Sequence, residues 1–292
     1  MRVVNFGSLN IDYTYRVDAF VQPGETKAAQ SLSVHCGGKG LNQSVALARA
    51  GAEVFHAGLV GADGAFLMEK LRQEGVDTRW VQQVEERSGH AIIQVDAAGQ
   101  NCILLYPGTN HGLTEGYLDQ VLGQFGPGDR VLLQNETNLV GTIIQKAAER
   151  GMLVAFNAAP MDAGVRDYPL EQVRWLLLNE TEGAALSGQE DPQAIVDTLR
   201  RRYPQTAVVL TLGEQGSLYA GEEGQFFCPA QRVQAVDTTA AGDTFTGFFL
   251  QAVGQGKNPS QALEVATAAS ALAVTRPGAA DSIPHWQELQ NR

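Results

Sequence analysis

A carboxylate set among unpaired backbone N–H groups can take a proton from a hydroxyl while the amides hold an anion. The run Asp237-Thr238-Thr239-Ala240-Ala241-Gly242-Asp243-Thr244-Phe245 has the residue types for that chemistry. Ahead of it, Arg232-Val233-Gln234-Ala235-Val236 alternates polar with apolar, which predicts a strand. Behind it, Phe245, Phe248, Phe249, Ala252 and Val253 recur at helical spacing and mark one apolar face. Ala240, Ala241 and Gly242 then fall in a tight strand-to-helix turn, where a helix start leaves N–H groups free for an anion. Simple phosphate binding has little use for Asp243 at that point, whereas phosphoryl transfer to a hydroxyl uses both the amides and the base. The plain alternative is an aspartate at a helix start and an Ala-Ala-Gly turn without chemistry.

Other polar groups sit where elements must end. Val3, Val4 and Phe6 form a short apolar strand that leads into Gly7-Ser8-Leu9-Asn10-Ile11-Asp12. In an extended chain Asn10 and Asp12 point to one side and can grip neighbouring hydroxyls; a turn built from Asn and Asp is the alternative. Gly37-Gly38-Lys39-Gly40 opens a helix with Leu41, Val45, Ala48 and Ala52 on its buried face. It is not a Walker loop, which needs Gly-x-x-x-x-Gly-Lys-Ser/Thr, nor a dinucleotide fingerprint, because Gln43 stands where the last glycine would be. Its glycines let a ligand approach the backbone, and Lys39 and Asn42 can donate hydrogen bonds.

The elements that position these groups read as an α/β protein. A strand from Glu53 to Ala57 precedes a turn in which Asp63 is a candidate helix cap. Ser88 to Leu105 alternates like a hairpin turning at Ala98-Gly99. Four short apolar runs, around Leu132, Val154, Leu177 and Val208, suit parallel strands buried on both faces. Functional groups then belong at the strand C-terminal ends. There stand Gln134-Asn135-Glu136, Asn157, Asn179 to Glu182, and Thr211 to Gly216.

Across 292 residues, 44% hydrophobic and 18% charged content is that of a globular protein. The net charge of −11 argues against nucleic acid or an anionic membrane as a partner. Cys36, Cys102 and Cys228 are odd in number and lack metal spacing, which predicts reduced thiols in a cytoplasm. The N-terminal apolar run is too short for a signal peptide, and no stretch reaches membrane-span length.

Asp-Thr-Thr-Ala-Ala-Gly-Asp-Thr-Phe-Thr-Gly resembles the C-terminal signature of the ribokinase-like (PfkB) carbohydrate kinases. Gly-Gly-Lys-Gly-Leu-Asn-Gln resembles the N-terminal signature of that family's ribokinase branch. The resemblance implies a three-layer α/β sandwich with a mostly parallel sheet, formed as one kinase domain over residues 1–292. A small β-sheet lid is implied from about 12–34 and 88–110, joining two subunits as a homodimer. It implies transfer of the γ-phosphoryl group of ATP to the primary hydroxyl of a small sugar, D-ribose first. Another sugar (a deoxypentose or ketohexose) or a nucleoside is the nearest alternative. A silent sugar-binding regulator and a nicotinamide-dependent oxidoreductase are more distant ones.

By resemblance, Asn10, Asp12, Gly38, Lys39, Asn42 and Glu136 hold the sugar, Asp243 is the base, and Ala240, Ala241 and Gly242 stabilise the transferred group. Asn179, Thr211, Gly213, Gly216, Gly242 and Thr267 are the implied ATP contacts, and Glu182 holds Mg²⁺ through water. Asp237, Thr239, Ala273, Arg276, Gly278 and Ser282 are the implied surroundings of a monovalent cation such as K⁺. His90 stands where the family more often has a small apolar residue; a lone histidine reads first as structural, and His90 or Tyr106 reshaping the pocket roof for a different sugar is the alternative. The chain departs from the family pattern at Phe66, where a glycine is usual, and at Asn157-Ala158-Ala159-Pro160.

Overall fold

A computed structural model describes residues 2–290. Its thirteen described strands are β1 (Arg2–Phe6), β2 (Asn10–Arg16), β3 (Ser31–Gly37), β4 (Glu53–Val60), β5 (Asp77–Gln83), β6 (Gly89–Val95), β7 (Asn101–Tyr106), β8 (Arg130–Gln134), β9 (Leu153–Asn157), β10 (Trp175–Asn179), β11 (Ala207–Thr211), β12 (Gly216–Gly221) and β13 (Gly224–Pro229). The α-helices are α1 (Lys39–Arg49), α2 (Ala65–Gln73), α3 (Glu115–Leu122), α4 (Val140–Glu149), α5 (Glu180–Ser187), α6 (Pro192–Arg202), α7 (Ala241–Gly254), α8 (Pro259–Ala273) and α9 (Trp286–Gln290).

Nine strands form one sheet in the order β13-β12-β11-β10-β9-β8-β1-β4-β5. From β11 to β5 neighbouring strands run parallel, and β12 and β13 are antiparallel at one edge. The four apolar runs are the buried strands β8 to β11. Alternate side chains feed two cores, as strand geometry requires. Val4, Phe6, Val131 and Leu133 pack with α3 and α4 on one face. Val3, Leu132 and Ala155 pack with α1, α7 and α8 on the other. The result is a three-layer sandwich.

The remaining strands make a four-stranded sheet in the order β3-β2-β6-β7. Its strands overlap the segments 12–34 and 88–110, with β2 starting earlier, at Asn10, and β3 running on to Gly37. Asp12 pairs with His35 on β3 and with Ala91 on β6, and these residues share one face. Ile11 pairs with His90, which pairs with Tyr106, so those two aromatic residues lie on the opposite face. His90 packs on Tyr13 and Tyr106. They are therefore not part of a roof on the Asp12 side, because strand parity turns them away.

Three local expectations differ from the structure. Arg232–Val236 is not a strand: its residues are exposed and unpaired. The N–H groups of Val236 and Asp237 both go to the Val274 carbonyl after α8, instead of to a neighbouring strand. Asp63 does not cap α2, whose N-cap is Gly64; its carboxylate accepts the Ser88 N–H and fastens the approach to β6. The strand at Glu53 also runs on to Val60, through what reads as a turn in the sequence.

Candidate active site

Two helix starts meet at the carboxyl ends of the central strands. Helix α1 begins directly after β3, and an added Cβ at Gly40 would come within 2.4 Å of the Gly7 backbone. Only glycine lets the start of α1 seat on the end of β1. Further along, a Cβ on Gly247 would sit 2.5 Å from the Ala46 side chain, so α7 crosses α1 in near contact. Gly247 lies one turn beyond Asp243 and Ala46 lies one turn beyond Gln43. The close crossing thus brings Asp243 against the first turn of α1.

Asp243 is buried and accepts from two amides of α1. Asn42 Nδ2 donates to Oδ2 at 3.0 Å, and Gln43 Nε2 donates to Oδ1 at 2.9 Å. Ala240, the N-cap of α7, has φ 59°, in the left-handed region that costs a non-glycine residue. The Ala241 N–H turns back to the Thr238 carbonyl. The N–H groups of Gly242 and Asp243 remain in the first turn of a fourteen-residue helix, where the helix offers no carbonyl of its own. A Cβ added to Gly242 would meet nothing within 4 Å, so this turn faces open space.

That space is a cavity of about 220 Å³ lined by Ala240 to Asp243, Lys39, Asn179, Glu182 and Thr211, among others. Candidates from four separate stretches of the chain are thereby gathered around one volume. Asn179 and Glu182 form a reciprocal cap at the start of α5, the Asn179 side chain accepting the Glu182 N–H and Glu182 accepting the Asn179 N–H. Burial pushes the Glu182 carboxyl up, and the charge of Asp243 adds to it. Burial works to lower Lys39, but the charges of Asp243, Glu136 and Glu182 outweigh it and hold its ammonium raised. Lys39 lines the cavity beneath the turn, and its ammonium feels the charge of all three carboxylates.

On the other side of Lys39 lies a second polar group. Glu136 accepts from the Ser8 hydroxyl and, at 3.0 Å, from the Lys39 backbone N–H. Its carboxyl is raised by burial, against the pull of Lys39. Asp12 is raised to about 7 by burial and by the charge of Glu136. Asn10 receives a 2.7 Å bond from Asn110 Nδ2 on its Oδ1, which leaves its own amide N–H groups as donors. Gly38 precedes Lys39 with φ 94°. Buried Asn42 Oδ1 has no hydrogen-bond partner among the described residues, although it is an acceptor beside Asp243. A hydroxyl-rich ligand supplies the donor such an oxygen needs.

The remaining candidates divide. Gly213 (φ 52°) and Gly216 (φ 126°) shape the turn after β11. Thr267 is buried, and its hydroxyl is engaged with Ser217 at 3.1 Å. Asp237 takes the Thr239 N–H on one oxygen and the Gly278 N–H on the other, both at 2.9 Å. Burial pushes its carboxyl up, and these bonds outweigh it and lower it. The Asp237 carboxylate thus ties the stretch before α7 to the loop after α8. Arg276 pairs with Glu288, Ser282 caps the Ala279 carbonyl, and buried Ala273 has only its carbonyl to offer. Among the described residues no group of three His, Cys, Asp or Glu side chains is placed to hold a metal.

The sequence reading missed what lies beneath Asp243. Asn5, His56 and Gln134 stand on the α1-facing side of the adjacent strands β1, β4 and β8, all buried. With Ser44 and Gln43 they form one hydrogen-bonded chain. The available signal was a polar residue inside an apolar strand, as Asn5 is between Val4 and Phe6.

A parallel sheet whose helix starts present an amide turn, a buried carboxylate and a lysine defines a phosphotransferase that acts on an alcohol group. The chain belongs to the pfkB family of carbohydrate kinases, whose model matches residues 1–286. It is 38% identical over 296 residues to the ribokinase of Haemophilus influenzae, covering 97% of this chain and 95% of that one. It is 30% identical to a deoxyribokinase of Salmonella typhimurium, over 99% of this chain and 97% of the relative. The fold superposes on Arabidopsis thaliana ribokinase complexed with ribose and ATP with a TM-score of 0.89, at 29% identity, over 99% and 97% of the two chains.

Proposed function

We propose that the protein transfers the γ-phosphoryl group of ATP to the primary hydroxyl of a pentose, D-ribose first, giving the 5-phosphate. The observation that carries this is buried Asp243, fixed by two amides at a helix start whose N–H groups and Lys39 share one cavity. Asp12, Glu136, Asn10 and Asn42 receive the sugar hydroxyls. Asp243 accepts the proton of the primary hydroxyl as its oxygen attacks the γ-phosphorus in line. The N–H groups of Gly242 and Asp243, with Lys39, take up the charge on the transferred group. Asn179, Thr211 and the turn at Gly213 to Gly216 receive the nucleotide. Thr267 supports that wall through Ser217.

Glu182 fits Mg²⁺ held through water: it is one buried carboxylate, pushed towards protonation, beside the place for phosphates. The ion would neutralise phosphate charge there. A monovalent cation such as K⁺ fits the loops joined by Asp237, with backbone carbonyls from Ala273 to Ser282 as hard oxygen donors. We take residues 1–292 as one kinase domain with the four-stranded sheet as its lid, paired in a homodimer. Three unpaired cysteines accord with a reducing cytoplasm. A 2-deoxypentose is the second reading, favoured by the deoxyribokinase likeness.

Asp243→Asn is expected to lower kcat by about 10²–10⁴ while sugar binding, followed by calorimetry, persists. A variant within a few-fold of the parent would overturn the assignment of the base.

A further inference from the structure

We infer that Gln43 is a positioning residue for the Asp243 carboxylate, set in place by a one-way chain of hydrogen bonds that starts at buried His56. The inference rests on Asp243 being the base. The chain has only one consistent orientation. Burial lowers His56 to about 4, so the ring is neutral at ordinary pH, and its Nε2 donates to the Gly7 carbonyl at 3.1 Å. Nδ1 must therefore accept, and the Ser44 hydroxyl donates to it at 2.8 Å. Ser44 Oγ in turn accepts from Asn5 Nδ2 at 2.8 Å, which turns Asn5 Oδ1 towards Gln134. Gln134 Nε2 spends its two protons on Asn5 Oδ1 at 3.0 Å and on Gln43 Oε1 at 2.7 Å. Gln43 can then present only its Nε2, which donates to Asp243 Oδ1 at 2.9 Å and to Asn157 Oδ1 at 3.1 Å. A glutamine amide that turned over would set its oxygen, a second acceptor, against the carboxylate. Here four elements, β4, β1, β8 and α1, agree on the donor. Gln43 is wholly buried, and the cavity lining includes Asp243 but not Gln43, Ser44, Asn5, His56 or Gln134. Its effect on the reaction is through the direction in which Asp243 points.

The test is a double-mutant cycle on the full chain, with D-ribose and ATP as substrates. Gln43→Met is expected to lower kcat roughly 10- to 100-fold and to leave both KM values within about twofold. In an Asp243→Asn background the same change is expected to cost less than about threefold, because the carboxylate it aims is gone. A general packing role would cost the same in both backgrounds, and that result would overturn the inference, as would a Gln43→Met enzyme with parental kcat. If Gln43→Met does not fold, Gln134→Met frees the Gln43 amide without touching Asp243. It is expected to lower kcat several-fold, again only where Asp243 is intact; equal losses in both backgrounds overturn the inference. A nearly active Asp243→Asn enzyme removes the base reading itself. An inactive one with an unaffected Gln43→Met removes only the inference.

Discussion

Asp12 is held in the ligand-free fold at an electrostatic cost. Its carboxyl is raised to about 7 because burial and the charge of Glu136 both disfavour the anion. A carboxyl raised above its unfolded value stabilises the ligand-free fold at low pH, and that contribution is lost as pH rises through about 7. Under the proposed function, sugar hydroxyls donate to the anion and reverse the preference, so binding is expected to release a proton. The KM for the sugar is therefore expected to fall about tenfold between pH 6 and pH 8, and Asp12→Asn should flatten that slope. A KM independent of pH in the parent enzyme would show that Asp12 does not receive the sugar as an anion.

Helix α7 shows which parts of the site are legible in a sequence. Asp237 to Phe249 can be read because its parts are contiguous: turn, carboxylate and apolar face lie within one stretch. Strands β8 to β11 are equally plain, since unbroken apolar runs match burial on both faces. Arg232–Val236 misleads because Val233 and Ala235, alternating with Arg232 and Gln234, look like a strand, and nothing local says that no partner strand lies beside them. The chain from His56 to Gln43 is hidden for a different reason. Asn5, His56 and Gln134 are far apart in sequence and become neighbours only when β4, β1 and β8 pair in register. Which face His90 and Tyr106 take is not legible, because a one-residue change of parity reverses a strand's side chains. The same helix start carries the prediction for the cation. Val236, Asp237 and Gly278 bind the loops flanking the amide turn to each other. Activity in potassium is expected to exceed that in a bulky organic cation at equal ionic strength, and equal rates would count against the site.

Over the whole molecule, the lid leaves an apolar stripe uncovered. Val34, Tyr13, Ile92 and Leu104 are paired in one row across all four strands, on the face turned away from Asp12. Leu104 is 68% exposed and Val34 is 48% exposed, which makes this face costly in water. A second copy's lid would cover it and shield the edge strands. Light scattering at micromolar concentration is expected to give a dimer, and Leu104→Asp a monomer with a weaker hold on the sugar. A monomeric parent protein would refute the pairing.

Substrate choice tests the account most directly. Asn10, Asp12, Lys39, Asn42 and Glu136 together ask for a small ligand with hydroxyls on several sides. A nucleoside would leave some of them unpaired, at roughly 1–3 kcal/mol each. The measurement is relative kcat/KM with ATP over D-ribose, 2-deoxyribose, ketohexoses and nucleosides, with phosphorus NMR to locate the phosphate in each product. The expected result is D-ribose ahead, phosphorylated on its primary hydroxyl. A hexose or nucleoside preferred by tenfold or more, or ATP turnover indifferent to every sugar offered, would contradict it.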